Sequence, residues 1–269
     1  MASPLIQRID DYLHRVPRSG ATAEEVGPFT LFVGMPGGWQ YYARPRPVNA
    51  AAPAEISAVD VRRVLARQRE LDLPETIEAI AEAAPALATA CRDAGLTVSK
   101  LPLLIHHDSV AVPVPDGIRI RRLDADDPAV AAAQVVADLA FAESGTSVGV
   151  ADDGTRDAAI EAGPSHTLNA QRHRIREGLT VVVVAEDEHG VLATGSHQPV
   201  ADVTEIVGVA TLPSARRQGL GAAVTNTLVA DAFRRGVMTV LLSAGDDDVA
   251  RVYERVGFGR VGTALAGDR

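Results

Sequence analysis

Cysteine, lysine and tryptophan each occur once in the 269 residues, and aromatic residues make up only 4%. A single cysteine excludes an intrachain disulfide. Cys91 lies in the alanine-rich run PALATACRDAGL without a suitably spaced histidine or carboxylate, so it reads as a buried helical thiol and not as a nucleophile. Long apolar runs are missing too. TVVVVA and VMTVLL are far shorter than the ~20 residues of a membrane span, and MASPLIQRIDDYLHRVPR at the N-terminus lacks the apolar core of a secretory signal. These absences predict a cytoplasmic protein with no membrane partner. Basic residues are outnumbered, 26 Lys and Arg against 35 Asp and Glu, for a net charge of −9. That excludes a nucleic-acid partner held by bulk electrostatics and mildly favours cationic substrates such as amines. Lys100 is the only lysine, so the many arginines reflect composition and are no phosphate signal. The histidines show no metal-ligand spacing, since His106 and His107 are adjacent and His166 and His173 lie seven apart; no metal is expected.

What remains is an ordinary globular composition, 46% hydrophobic and 23% charged, long enough for one large or two modest domains. IQRIDDYLHRV reads as a short amphipathic helix, followed by a polar loop to about residue 26. FTLFVG and QYYARP read as two strands around the Pro/Gly turn MPGGW. Ser57 fits the N-cap of the helix AVDVRRVLARQREL, in which Val59, Val61, Val64 and Leu65 fall mostly on one face. ETIEAIAEAAPALATACRDAGL reads as helix with a break at Pro85, Gly95 as its stop, and LTVSKLPLLIHH as a strand. VPVPD, near residues 112–116, reads as a connector that divides the chain into 1–115 and 116–269.

The second part is more regular. GIRIRRL alternates as a strand, DPAVAAAQVVADLAFAE is a helix, and a charged helical stretch near TLNAQRHRIREG ends at Gly178. TVVVVAEDEHG, VLATGSHQPV and TEIVGVATLP read as strands, with His197 in GSHQPV taken up by an inter-strand loop. A helix to about Arg235, the strand VMTVLLSA, the short helix DDVARVYERV and the strand FGRVGTAL complete the chain. The order predicts a mixed α/β sheet with helix crossovers.

The chemistry concentrates in EIVGVATLPSARRQGLGAAVTNTLVADAFRRG. An apolar strand leads through Pro213 into a loop with Arg216, Gly219 and Gly221, which opens a helix; Leu220, Val224, Leu228 and Ala232 recur there at intervals of four as a buried stripe. Glycines at a helix N-terminus let an anion approach the orphan N–H groups and the positive end of the dipole, a ready pyrophosphate site. Arg216 and Arg217 can add charge-assisted contacts. Two lookalikes fail on context. Gly145-Thr146-Ser147-Val148-Gly149 matches G-x-S-x-G but follows a helix, whereas a nucleophile elbow follows a strand. Gly219-Leu220-Gly221 begins like a dinucleotide fingerprint, but Val224 stands where the third small residue belongs.

The run Arg216-x-x-Gly219-x-Gly221 after a strand resembles the acyl-CoA pyrophosphate loop of the GNAT family of N-acetyltransferases. Glu205, eleven residues earlier, stands where several members carry a general-base glutamate, and YERVGF, Tyr253 to Phe258, is similar to the family's tyrosine followed by Gly-Phe. The resemblance covers about the last 150 residues. Asp246 departs from the family pattern, which often has asparagine seven residues before the tyrosine. The N-terminal part has no such loop. Its order of hairpin, helices, Ala94-Gly95-Leu96 and strand faintly echoes the end of the C-terminal half, so a degenerate GNAT-like copy stands as one reading of it.

The resemblance implies acetyl-CoA, or another acyl-CoA, as cosubstrate and no metal. It places the pyrophosphate on Arg216, Arg217, Gln218, Gly219, Leu220, Gly221 and Ala222, and the pantetheine arm on the backbone of Val209, Ala210 and Thr211. Glu205 would serve as base and Tyr253 as acid. A carboxylate near its reference pKa of about 4.3 is a poor base for an ammonium near 10.4, so Glu205 needs a raised pKa or a water while the amine binds neutral. A phenol near 10 can donate to a thiolate whose thiol lies near 8.5. The expected function is acetyl-CoA-dependent N-acetylation of a primary amine on a small molecule or peptide. A non-catalytic acyl-CoA-binding regulatory module is the alternative. A homodimer is compatible with the sequence, which does not fix an oligomeric state. Acceptor choice is expected to rest on the loops near SGTSVGVADDG and GSHQPV, which carry no recognisable code.

Overall fold

The computed structural model describes residues 2–36, 38–47, 56–143, 145–163 and 165–269. Gly37 of the Pro/Gly turn and Ser144 of the expected acceptor loop lie outside them. The chain opens with α1 (Pro4–Arg15), β1 (Ala21–Val26), β2 (Phe29–Gly34), β3 (Ala43–Pro45) and α2 (Ala58–Glu70). Then follow β4 (Thr76–Ile80), α3 (Leu87–Asp93), β5 (Thr97–His106), β6 (Arg119–Arg122) and α4 (Ala129–Ala142). Next come α5 (Asp153–Glu161), α6 (Leu168–Arg176), β7 (Val181–Asp187), β8 (Gly190–Val200) and β9 (Val203–Thr211). The last elements are α7 (Leu220–Arg234), β10 (Thr239–Ser243), α8 (Asp247–Glu254) and β11 (Phe258–Asp268). No described helix is long and apolar enough to cross a membrane.

Two compact units form. The first takes residues 1–103, 243–245 and 260–269; the second takes 104–242 and 246–259. In the first, strands run in the order β1-β2-β3-β4-β11-β5. Ser57 caps α2 in a reciprocal capping box with Asp60. Val61, Val64 and Leu65 of α2 join Phe29, Leu31, Ile77 and Leu87 in one apolar core. Cys91 is buried in that core, and burial pushes its thiol up to about 11, which keeps it protonated and unreactive.

The second unit has the order β10-β9-β8-β7-β6. β7, β8 and β9 form an antiparallel meander, and α4 and α7 both lie on β8 and β9. Leu220, Val224, Leu228 and Ala232 are all buried, as their four-residue spacing predicts. Gly195 on β8 admits α7 closely, for a β-carbon there would stand 3.0 Å from Val224 and 3.1 Å from Leu228.

Four expectations need correction. Ala21–Val26 is not a polar loop but a strand paired with β2 from Ala21↔Gly34 to Val26↔Phe29. Thr76–Ile80 is strand, not helix: Ile77 and Ala79 point inward at a spacing of two, and β11 pairs along it from Thr76↔Asp268 to Ile80↔Ala264. Partners distant in sequence overrode the helix-forming Glu and Ala. Helix α5 was not expected at all. Its one buried side chain is Arg156, so it has no apolar stripe to be read. Arg156 holds it down by donating to Val191 O (2.9 Å), His189 O (2.6 Å), Asp153 (2.8 Å) and Asp157 (2.9 Å).

The fourth correction concerns GSHQPV, which continues β8 instead of forming a loop. Pro199 is tolerated because β7 pairs with β8 only as far as His197, so the missing N–H interrupts no ladder on that side. His197 is fully buried. Its Nδ1 lies 3.0 Å from Thr204 Oγ1 on β9 and its Nε2 3.1 Å from Asp231 Oδ2 on α7. Arg235 also pairs with Asp231. Burial lowers the His197 pKa, and the opposing pull of Asp231 does not restore it. The neutral ring therefore donates from Nε2 to the carboxylate and accepts at Nδ1 from the Thr204 hydroxyl.

Replacing His197 with leucine leaves Asp231 and Thr204 without this partner, and we expect a stability loss of about 2–4 kcal/mol by urea denaturation. Since the folded pKa lies below that of the unfolded chain, the unfolded state binds the proton more readily. Wild-type stability should then fall as pH drops below about 6.5, and the His197→Leu protein should show a shallower fall over that window. Parallel pH profiles of the two proteins would contradict the neutral assignment.

Candidate active site

The site begins where β9 leaves β10. The two strands pair in parallel only at Val203↔Thr239, Thr204↔Val240 and Glu205↔Leu241. On its other side β9 stays on β8 as far as Thr211↔Ala193. Residues 206–211 thus have no strand partner on the β10 side among the described residues. Within this stretch Thr194↔Ala210 is followed by Ser196↔Val207, so β9 carries one extra residue around Gly208 and Val209. Gly208 is exposed with φ +64, a conformation that suits glycine, and the resulting bulge bends the free edge. An isolated glycine in the strand pattern TEIVGVAT was the available sign of it.

The free edge runs directly into the start of α7. Beyond Leu212, a 3-10 turn at Pro213–Ala215 leads to Arg216, Arg217, Gln218 and Gly219. Arg217 and Gly219 have φ +66 and +83, and Gly219 occupies the N-cap position, so no side chain caps the helix. The N–H groups of Arg217 through Ala222 have no acceptor among the described residues. They form a row of donors at the positive end of the helix dipole. A β-carbon on Gly221 would stand 3.5 Å from Thr211 Oγ1 and 3.8 Å from Val209, so this end of the helix closes on the β9 edge.

The individual side chains divide. Val209, Ala210 and Thr211 lie on the free edge, and Gln218, Gly219, Leu220, Gly221 and Ala222 on the donor row. The Arg217 side chain is exposed at the same loop. Arg216 is different. Its guanidinium donates to Ala140 O (2.8 Å), Glu143 O (2.7 Å) and Ser147 O (3.1 Å), at and after the end of α4. A cavity of about 590 Å³ adjoins the loop at Ser214, Ala215 and Gln218. It is also lined by Asp116, Asp153, Asp187 and Glu188, which suits an anion poorly.

Glu205 is half-buried at the last pair before the strands part, opposite Gln198 on β8 and Leu241 on β10. Tyr253 lies on α8, which follows β10. Its ring meets Phe258 edge-on at 6.0 Å, and burial pushes the phenol up to about 12. Its hydroxyl makes no hydrogen bond among the described residues. Asp246 is the N-cap of α8, accepting from Val249 N at 2.7 Å. Asparagine and aspartate cap helices alike, which accounts for the departure at this position. Among the described residues no group of three or more His, Cys, Asp and Glu is placed to hold a metal ion.

Residues 151–258 match the family described as Acetyltransferase (GNAT) family. Comparison with curated proteins gives no match. Among solved structures, the chain is similar to a GCN5-related N-acetyltransferase from Kribbella flavida (24% identity, 99% of this chain and 96% of that one, TM-score 0.66). It is also similar to a protein assigned to the GNAT family from Novosphingobium aromaticivorans (17% identity, 98% and 97% covered, TM-score 0.56). A tandem GNAT protein from the clavulanic acid biosynthesis pathway aligns over 90% of this chain and 78% of its own, with 16% identity and a TM-score of 0.57. At these identities the likeness is one of fold. The chain therefore carries a GNAT-family domain over residues 151–258 and has a mixed α/β GNAT fold along nearly its whole length.

Proposed function

We propose that the protein is a cytoplasmic N-acetyltransferase that moves an acetyl group from acetyl-CoA, or another acyl group from its CoA thioester, to a primary amine of a small molecule or peptide. The observation that carries this reading is the continuity of two sets of unpaired backbone groups. The free edge of β9 over residues 206–211 ends at the uncapped donor row of Arg217–Ala222. An extended amide-bearing chain ending in a pyrophosphate fits that surface, because buried backbone groups need partners and helix N-termini bind anions. Family membership of residues 151–258 supports the same assignment.

When bound, the acyl-CoA supplies an activated thioester carbonyl. The chain supplies the rest. The N–H groups at the start of α7 hold the pyrophosphate, and Val209 to Thr211 present strand-edge groups to the amide-bearing arm. Glu205, at the point where the strands part, takes a proton from the attacking nitrogen, directly or through water. Tyr253 remains protonated at neutral pH and donates a hydrogen bond to the departing sulfur. Complete transfer from a phenol near 12 to a thiolate whose thiol lies near 8.5 is uphill, so Tyr253 stabilises the sulfur mainly through that hydrogen bond.

Calorimetric titration with acetyl-CoA should give a Kd on the order of micromolar for the wild type and none measurable for Gly221→Trp, whose indole fills the gap between α7 and β9. An unimpaired Gly221→Trp would place the ligand elsewhere. In a thiol-release assay across a panel of amines, Glu205→Gln and Tyr253→Phe should each lower kcat/KM by roughly 10²-fold or more. No alkaline loss of activity should arise from Tyr253 below about pH 10, since its phenol is still protonated there. Full turnover in both variants would remove their assignment. Tight acetyl-CoA binding without thiol release for any amine would favour the non-catalytic binding module.

A further inference from the structure

Helix α4 ends without help from its own sequence. Its last turn contains no basic residue, although the final carbonyls of a helix need donors and favour positive charge. That charge arrives from far along the chain. Arg216 Nη2 donates to Ala140 O and Glu143 O, and Nη1 to Ser147 O, so the guanidinium both caps α4 and grips the segment beyond it.

The same segment is fastened from its own side. The Glu143 carboxylate accepts from Val150 N at 3.2 Å and Ala151 N at 3.1 Å. Gly149 N donates to Pro213 O, and Ser214 N donates to Ala151 O, each at 3.0 Å. Gly149 allows this approach, because a β-carbon there would overlap the Glu143 carboxylate and crowd Pro213. Residues 147–151 are thereby zipped to residues 213–216. The row of free N–H groups starts at the very next residue, Arg217.

We propose that Arg216 is a positioning residue that couples the segment after α4 to the pyrophosphate loop, and that its guanidinium is not a phosphate ligand. The proposal rests on the acyl-CoA reading of the loop. The three hydrogen bonds of the Arg216 guanidinium go to carbonyl oxygens at the end of α4 and in the segment just beyond it, and turning the side chain to a phosphate would strip those carbonyls of their donor. Filling the donor row would steady residues 213–217 and, through Arg216, residues 147–151. The anion itself is met by backbone groups, with Arg217 as the exposed charge at the loop.

Two measurements on the full chain test this, using wild type, Arg216→Gln and Arg216→Lys. Hydrogen exchange should show the amides of Gly149, Val150 and Ala151 exchanging about tenfold faster in Arg216→Gln, with Arg216→Lys in between because an ammonium can still donate to the carbonyls. Acetyl-CoA should add protection at these amides in the wild type and much less in Arg216→Gln. Calorimetry with acetyl-CoA over a range of sodium chloride should give the same salt slope for wild type and Arg216→Gln. A weaker salt dependence in Arg216→Gln than in the wild type, with unaltered exchange at residues 149–151, would identify a lost phosphate contact and overturn the proposal. If Arg216→Gln fails to fold, Arg216→Lys decides through the same two measurements. Absence of acetyl-CoA binding to the wild type would sink the acyl-CoA reading and the coupling with it. The exchange comparison in the free protein would then still show whether Arg216 holds the segment.

Discussion

Backbone N–H and C=O groups in the middle of a sheet rarely go without partners, because removing them from water uncompensated costs free energy comparable to a lost hydrogen bond. β9 departs from that rule for a defined length. It pairs with β10 for three positions, parts at Glu205, and runs on beside β8 to Thr211 with one edge open. The bulge at Gly208 and the uncapped start of α7 belong to the same departure. Each would be a defect in an isolated domain. Together they form a continuous surface of donors and acceptors with a glutamate at one end and the uncapped N-terminus of α7 at the other.

Holding such a surface open requires rigid support beneath it. Gly195 lets α7 settle against β8, and His197 ties β8 to Thr204 on β9 and to Asp231 on α7 from a fully buried position. The tie grips the residue next to Glu205. On the other flank, Arg156 pins α5 to the turn between β7 and β8, and Arg216 fastens the end of α4 to the loop before α7. These are polar devices set beside apolar core contacts. Directional bonds specify the relative placement of elements in a way that interchangeable Val and Leu contacts do not.

Several side chains change character when read in place. Asp246 looked like a departure from the family pattern and is a helix cap; either residue type satisfies the same N–H group. His197 looked like a loop residue because Gly, Ser, Gln and Pro surround it, yet its ring is the buried junction of three elements. Arg216 stands in the motif position that suggests an anion contact, and its guanidinium faces helix carbonyls instead. Spacing along the chain names the residue type required at a position. It does not say which way a long, flexible side chain turns.

The local signals in the sequence determined a great deal. The Ser57 cap, the four-residue stripe of α7, the strands over residues 181–194 and 203–211 and the glycine-bearing loop before α7 all follow from periodicities and turn chemistry within a few residues of one another. The GNAT resemblance of the last 150 residues was legible for the same reason, since its motif lies on a contiguous strand, loop and helix. Tertiary structure alone decided the rest. Thr76–Ile80 became a strand because partners far away in sequence pair on both its edges, and α5 exists because a buried arginine, not an apolar stripe, holds it. The length of open edge on β9 depends on where β10 stops running beside it, and that is set by packing between segments some thirty-five residues apart. Local sequence encodes conformational preference, whereas pairing, burial and side-chain direction are settled only when distant segments compete for the same donors, acceptors and volume.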